Sequence, residues 1–331
     1  VVNSKIISDL DLEEYLSGNS KADKADALLK MQIDSWSLAK TNYRDLASIK
    51  KKEFHFDGFD IQIQFNPGRI VSSSAKVDAK SIGERPCFLC PKNLPNEQKG
   101  LVCKDDYLLL VNPFPIFEEH FTIPQFNHNP QEIYSNFADM LFIAKELGEK
   151  YTLFYNGPQC GASAPDHMHF QASPKNAMPI ENQDEYLNKL SEKIFQNDAV
   201  TVSAITHYLR NLFLIESNSI EQLTIEFQKL YSSIKEITNS DFEPLMNIIV
   251  TFDESWRVYI FPRKAHRPKE FFLEGDDKIL LSPAAVDFGG LLITPREEDF
   301  DKLTKENIIN IFQQTTCDDA SIERIIKNYC K

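Results

Sequence analysis

The chain has 331 residues, of which 42% are hydrophobic and 26% charged, with 11 glycines and a formal net charge of −13. That balance excludes a fibrous, low-complexity or wholly disordered chain, and the length predicts two packed units or one large fold with additions. The acidic charge, with no Lys/Arg run interleaved with aromatics, excludes nucleic acid as an expected partner, although a few basic groups and backbone N–H groups can still form a local pocket for a small anion.

In chain order, residues 1–16 are polar and acidic, and no apolar run approaches the roughly 20 residues that span a bilayer, so a cytoplasmic protein without membrane contact is expected. Helix-like periodicity runs over 8–50 through Leu10, Leu12, Leu16, Leu28, Met31, Ile33, Trp36, Tyr43 and Leu46, a helical preface in which Trp36 and Tyr43 read as packing residues. At Phe54 the period changes to two, and Asp57-Gly58 signals a β-hairpin ending at Asn66-Pro67-Gly68-Arg69. Next comes a Pro/Cys-rich segment, 86–95. Six cysteines are too few for a disulfide scaffold, and Cys87-x-x-Cys90 has a spacing used by metal sites and redox pairs. Adjacent strands are predicted over 107–112 and 120–124, a long amphipathic helix over 130–151, and strands over 151–155 and 167–172 flanking a Gly/Ala/Ser/Pro loop. The second half predicts strands over 209–217, 246–252, 257–263 and 286–294, a helix over 220–237 and a helical tail. Without regular β-α-β alternation an antiparallel α+β architecture is expected, with a weak structural repeat joined within 175–200.

The most informative stretch is Asn156-Gly157-Pro-Gln-Cys-Gly161-Ala162-Ser163-Ala-Pro-Asp-His167-Met-His169-Phe-Gln171. Residues two apart share one face of a strand, so His167, His169 and Gln171 are expected to point together while Met168 and Phe170 pack into a core. The Gly161-Ala162-Ser163 loop before them brings backbone N–H groups and a hydroxyl close to an anion without obstruction, and phosphate is a natural occupant. A lone histidine more often satisfies a buried carbonyl; three aligned polar groups behind such a loop favour a site.

These residues resemble the branch of the histidine-triad superfamily that holds the galactose-1-phosphate uridylyltransferases, the diadenosine tetraphosphate phosphorylases and the GDP-hexose phosphorylases. The likeness rests on Asn156-Gly157, Gly161-Ala162-Ser163 and His167-x-His169-x-Gln171. It extends to Phe65-Asn66-Pro67-Gly68-Arg69, Met246-Asn247, Trp256-x-Val-Tyr-Ile-Phe-Pro-Arg263 and Ala285-Val-Asp-Phe-Gly289-Gly290, and leaves the helical preface unaccounted for. It implies an α+β fold of two histidine-triad-like antiparallel sheet units packed with helices: an N-terminal helical segment 1–53, a nucleotidyltransferase half 54–180 carrying the motif, and a C-terminal half 181–331. Two such halves in one chain would replace the usual dimer, so a monomer is expected.

The implied activity is that of a nucleotidyltransferase or phosphorylase. It would move a nucleoside monophosphate from a nucleotide sugar or dinucleoside polyphosphate to phosphate or sugar phosphate, in a ping-pong reaction through a covalent nucleotidyl-histidine. A neutral imidazole is a competent nucleophile near neutral pH, and a phosphate leaving group needs no strong general acid. By motif position His169 resembles the nucleophile, and Gln171 would hydrogen-bond a non-bridging phosphoryl oxygen. Gln171 stands where the hydrolases have a third histidine, a departure that goes with transfer instead of hydrolysis. Gly161 and Ser163 would hold the neighbouring phosphate, and Asn156 would touch phosphate or orient the nucleophile. Arg69 and Arg263 are candidates for neutralising phosphate charge, each equally readable as an ion-pair residue.

The likeness to uridylyltransferases also implies a structural zinc ion held by Cys87, Cys90, His128 and His167 in a closed tetrahedral set. The competing ligand is His120, which fits equally as a strand residue near the nucleotide. Two reduced cysteines in a turn are the plainer reading. The alternatives for the whole chain are a histidine-triad hydrolase, or a protein that binds nucleotide without turnover. No role is expected for His55, His207 and His266; Trp256 reads as core or pocket wall, and Cys103, Cys160, Cys317 and Cys330 as buried or unpaired thiols.

Overall fold

The computed structural model describes residues 4–70 and 79–331; the first three residues of the helical preface lie outside them. The preface forms helix α1 (Lys21–Ser35) and helix α2 (Ser37–Asp45). Ser20 caps α1, its side chain accepting from the Asp23 N–H while Asp23 reaches back, a reciprocal capping box. The two helices separate at Trp36, whose extended backbone (φ −120°, ψ 105°) ends one and starts the other. The predicted hairpin follows as β1 (Lys50–His55) and β2 (Asp60–Phe65), turned at Gly58 with φ +88°.

Ten strands then build one sheet. They are β3 (Gly100–Cys103), β4 (Tyr107–Val111), β5 (Phe121–Pro124), β6 (Tyr151–Asn156) and β7 (His169–Pro174). The second five are β8 (Ser191–Gln196), β9 (Val200–Ile205), β10 (Leu212–Ser217), β11 (Met246–Asp253) and β12 (Ser255–Pro262). The sheet order is β3-β4-β5-β7-β6-β11-β12-β10-β9-β8, with every pairing antiparallel. Each run of five has the same plan: three strands, a helix (Phe137–Leu147 or Ile220–Thr238), then two strands that pair in reversed order. The two runs meet at their fourth strands, β6 and β11, where Asn156 lies opposite Asn247. The α+β expectation holds, with the two units fused edge to edge into a single sheet.

The fusion follows from burial. Every residue of β6, and Met246 to Thr251 of β11, is buried, so these strands are covered on both faces. Leu153, Tyr155, Ile248 and Val250 face a core built with α1 and the helices Phe137–Leu147, Ile220–Thr238 and Asp319–Tyr329. Phe154 and Ile249 face the opposite core, built with β1, β2 and helix Lys305–Thr315. Each fully buried side chain of this size contributes about 1.5–3 kcal/mol, and exposing either strand as an edge would forfeit it. A final strand, β13 (Leu291–Thr294), pairs in parallel with β2, so a three-stranded sheet draws on both ends of the chain. No helix among the described residues is long and apolar enough to cross a membrane.

Two predicted elements differ from what forms. The helix expected over 130–151 begins only at Phe137, because Gln131 is bound to strand backbones instead (below). The strand expected over 286–294 opens as a helical turn, Ala285–Phe288, and becomes β13 only after Gly290 turns the chain with φ +100°.

Candidate active site

A cavity of about 620 Å³ lies over the first half of the sheet. Its floor is a cross-strand row, Phe154–Gln171–Thr122–Leu110, in which each residue is the register partner of the next on β6, β7, β5 and β4. His169 precedes Gln171 by two on β7 and shares that face, while Met168 and Phe170 are buried in the core behind the sheet. The alternation read from the sequence therefore separates His169 and Gln171 from Met168 and Phe170, but His167, expected to point with them, turns instead to Cys87, Cys90 and His128. His167 lies just before β7 and takes no part in the cavity.

Hydrogen bonds fix which atoms of His169 and Gln171 face the open space. His169 Nδ1 is 2.8 Å from the carbonyl oxygen of His167, an acceptor only, so Nδ1 carries the proton and Nε2 the lone pair. Burial lowers the His169 pKa to about 4, which keeps the ring neutral at physiological pH. Gln171 Oε1 is 3.0 Å from His120 Nε2. Because His120 Nδ1 accepts the Ile116 N–H (3.2 Å), His120 must donate from Nε2, so Gln171 is held by its oxygen and presents its NH2 to the cavity. Burial, with Arg69 nearby, pushes His120 down to about 3 and holds this neutral tautomer.

The loop between β6 and β7 forms the adjoining wall. Gly161 has φ +97°, and a Cβ there would lie 2.5 Å from the Cβ of Ala284, so glycine alone lets the loop rest on the segment from the chain's second half. Gly161, Ala162 and Ser163 line the cavity with Asn156. Asn156 Oδ1 accepts from Asn247 Nδ2 (2.9 Å) and the Ala285 N–H (2.8 Å), which leaves its amide nitrogen for the cavity. Arg69 also lines the cavity and donates to the carbonyl of Phe114 (2.8 Å); burial lowers its pKa to about 10. Arg263 is placed otherwise. It lies outside the cavity lining, fully buried, donating to Asn247 Oδ1 and to the carbonyls of Pro283, Ala265 and His266 at 2.6–3.1 Å. Its guanidinium is therefore committed to orienting Asn247, and through it Asn156, and is neither a surface ion pair nor a phosphate contact.

Behind β7, Cys87, Cys90, His128 and His167 converge, with one donor atom each and all four within 4.8 Å of one another. Cys87 Sγ and Cys90 Sγ lie 3.3 and 3.6 Å from His167 Nδ1, and Cys90 Sγ lies 3.2 Å from His128 Nδ1. Tetrahedral bonds of about 2.3 Å to sulfur and 2.0–2.1 Å to nitrogen separate ligand atoms by roughly 3.3–3.8 Å, so the donor set fits such an ion. The far nitrogen of His167 is held as a metal-bound histidine requires, Nε2 lying 2.8 Å from the Gln125 carbonyl, while His128 Nε2 lies near Asp166 (3.7 Å), which Arg85 fixes from its other side. His120 is outside this cluster, which settles its competing assignment.

Several participants were not legible beforehand. Gln131 donates from Nε2 to the carbonyls of Asn156 (2.9 Å) and His169 (3.1 Å) and accepts the His169 N–H at Oε1 (2.8 Å), locking β6 and β7 together where the loop leaves them. His266, with no expected role, and Arg267 line the cavity; so does Trp36, which read as helix packing. His55 and His207 are exposed and paired with Asp60 and Asp319, and Trp256 is buried with Nε1 donating to Leu141.

Residues 28–174 match a family model described as a domain of unknown function (DUF4922), and residues 183–331 match the model "GDPGP1-like, C-terminal domain". No curated protein matches the chain. Yeast Ap4A phosphorylase Apa2 in complex with Ap4A is similar over 87% of this chain and 97% of its own, with 16% identity and a TM-score of 0.53. The same yeast enzyme in complex with AMP gives 19% identity and a TM-score of 0.52, over 88% of this chain and 96% of that one. A uridylyltransferase mutant is similar over 74% and 93% with 12% identity and a TM-score of 0.40. The likeness to the yeast enzyme is one of fold.

Proposed function

We propose that the chain is a member of the histidine-triad superfamily, in the branch of the uridylyltransferases, Ap4A phosphorylases and GDP-hexose phosphorylases, and a nucleotidyltransferase or phosphorylase working through a nucleotidyl-His169 intermediate, a reading supported by the GDPGP1-like match over 183–331 and the fold shared with the yeast Ap4A phosphorylase. One observation carries the reading. The neutral His169 ring offers a single lone pair, on Nε2, to a cavity that also receives the Gln171 NH2 and the Gly161–Ser163 loop.

In the first displacement Nε2 attacks the α-phosphorus of a nucleotide sugar or dinucleoside polyphosphate. The P–N bond forms, the P–O bond to the leaving phosphate breaks, and that oxygen keeps the electron pair. The positive charge left on the ring is shared with Nδ1–H, whose bond to the His167 carbonyl strengthens. Gln171 donates to a non-bridging oxygen as charge develops there, Asn156 offers a second amide donor, and Ser163 and its loop hold the adjoining phosphate, with Arg69 set back against Phe114 as the nearby positive charge. An oxygen of phosphate or of a sugar phosphate then attacks from the vacated side and releases His169.

Cys87, Cys90, His128 and His167 would hold a structural zinc ion, which supplies a rigid cross-link and no chemistry in the reaction. That role fits a reducing cytoplasm, where the thiols stay available. With both halves already fused in one sheet, a monomer is the expected state. The test is incubation with nucleotide donors labelled in the α-phosphate. An acid-labile, base-stable protein adduct is expected in the wild type and none in His169→Ala; an undiminished adduct in that variant overturns the mechanism.

A further inference from the structure

The cavity is chemically lopsided about the His169–Gln171 pair. Beyond Gly161 and Ser163 it is lined by His266, Arg267 and Ser282. In the other direction the floor passes from Gln171 through Thr122 to Leu110, two strands or roughly 10 Å away, and the wall includes Leu94, Trp36 and Leu38, while Arg69, bonded to the Phe114 carbonyl, also lines the cavity. An α-phosphate seated on His169 has a nucleoside on one side and a phosphate on the other. Seating the nucleoside toward the apolar wall leaves the adjoining phosphate toward the Ser163 loop and Arg267.

We propose that the junction of α1 and α2 is the nucleobase wall of this active site, with exposed Leu38 and the small part of the Trp36 side chain that reaches the cavity (4% exposed) as its contact surface; the inference rests on the nucleotidyl-transfer reading above. The break between α1 and α2 falls at Trp36, which is largely buried and lines the cavity at its edge. The segment is fastened at three points. Buried Gln32 donates to the Glu97 carbonyl and accepts the Lys99 N–H, both at 3.0 Å, gripping the chain on either side of Gln98. Asn42 donates to the Pro113 carbonyl (2.6 Å), and Tyr43 donates to the carbonyl of His120 (3.0 Å). Gln98 itself lines the cavity and donates from Nε2 to the Val111 carbonyl (3.1 Å), so its oxygen is the group left to accept an N–H from the edge of the base.

Trp36 is one of two tryptophans, and the other, Trp256, lies in the core on the opposite face of the sheet. Emission from the intact chain can therefore be titrated with GMP, AMP, UMP, glucose 1-phosphate and inorganic phosphate. Saturable quenching by at least one of the nucleotides is expected, none by the two phosphates that lack a base, and no quenching in Trp36→Phe, which should still retain labelled nucleotide in equilibrium dialysis. Trp36→Ala should raise the donor KM by about tenfold with little change in kcat. Quenching that persists in Trp36→Phe, equal quenching by glucose 1-phosphate, no quenching by any nucleotide, or an unchanged KM in Trp36→Ala overturns the proposal. An adduct on His169 without quenching defeats this inference alone; quenching without an adduct defeats the transfer mechanism and leaves the base wall standing.

Discussion

A glutamine side chain can turn either end toward a ligand, and at Gln171 the choice is made by a neighbour. His120 donates to its oxygen, the Ile116 N–H fixes the His120 tautomer, and Gln64, Asn66 and Arg69 hold the carbonyls of Ile116, Pro115 and Phe114. His120 is thus a positioning residue. Its loss frees the Gln171 amide to rotate, and a misplacement of about 1 Å at a reacting group can cost on the order of 10²-fold in rate. We expect His120→Ala to lower kcat by about that factor with KM little affected, and the double variant with Gln171→Ala to be no slower than Gln171→Ala alone. Additive losses in single-turnover measurements would show that His120 acts independently. None of this was legible in the sequence, where His120 read as a possible ligand or a strand residue, because a tautomer is set by partners that arrive from other segments.

At the scale of elements, the start of β7 is fixed from two directions. Gln131 ties His169 to β6, and the Cys/His cluster ties His167 to the turn of Cys87 and Cys90 and to His128. An ion bound there would cross-link three segments far apart in sequence, and its removal would loosen the strand that carries His169. Prolonged chelation is expected to lower the unfolding temperature and slow adduct formation together, with zinc restoring both. Asp166→Asn, which weakens the support of His128, should reduce metal affinity about 10–100-fold. A stoichiometric metal assay that finds no ion in freshly purified protein, or a chelated sample with unchanged melting, contradicts this. The Cys-x-x-Cys spacing and the alternation over 167–171 were both visible in the sequence. The late start of helix Phe137–Leu147 was not, since helical periodicity does not report that the Gln131 side chain has a better use elsewhere.

Across the whole molecule, the two five-strand runs are held together at the β6–β11 seam and by Glu243, which accepts from the Ile133 N–H and the Tyr155 hydroxyl of the first half, both at 2.7 Å. Burial raises the Glu243 pKa from 4.5 to about 8. A carboxyl whose folded pKa exceeds its unfolded value keeps a proton that the unfolded chain releases. Its contribution to stability is therefore complete below pH 4.5 and is lost as pH rises through about 8. Glu243→Gln cannot titrate, so its stability relative to the wild type should climb across that window, by up to about 1.4 kcal/mol per pH unit. Denaturation at a series of pH values measures the difference; a gap independent of pH shows that Glu243 is already ionised in the native state.

Features encoded by near neighbours were legible in the sequence: the hairpin at Asp57-Gly58, the alternation that separates His169 and Gln171 from Met168 and Phe170, the small-residue loop, and the paired cysteines. Each depends on residues a few positions apart, whose backbone geometry fixes which side chains share a face. Packing set the rest: Arg263 supports Asn156 from within the core, His120 aims Gln171, the two sheet units are one, and Trp36, largely buried, lines the cavity. Those outcomes depend on partners contributed by distant segments, and buried polar groups take whichever partners the packed fold brings within hydrogen-bonding distance.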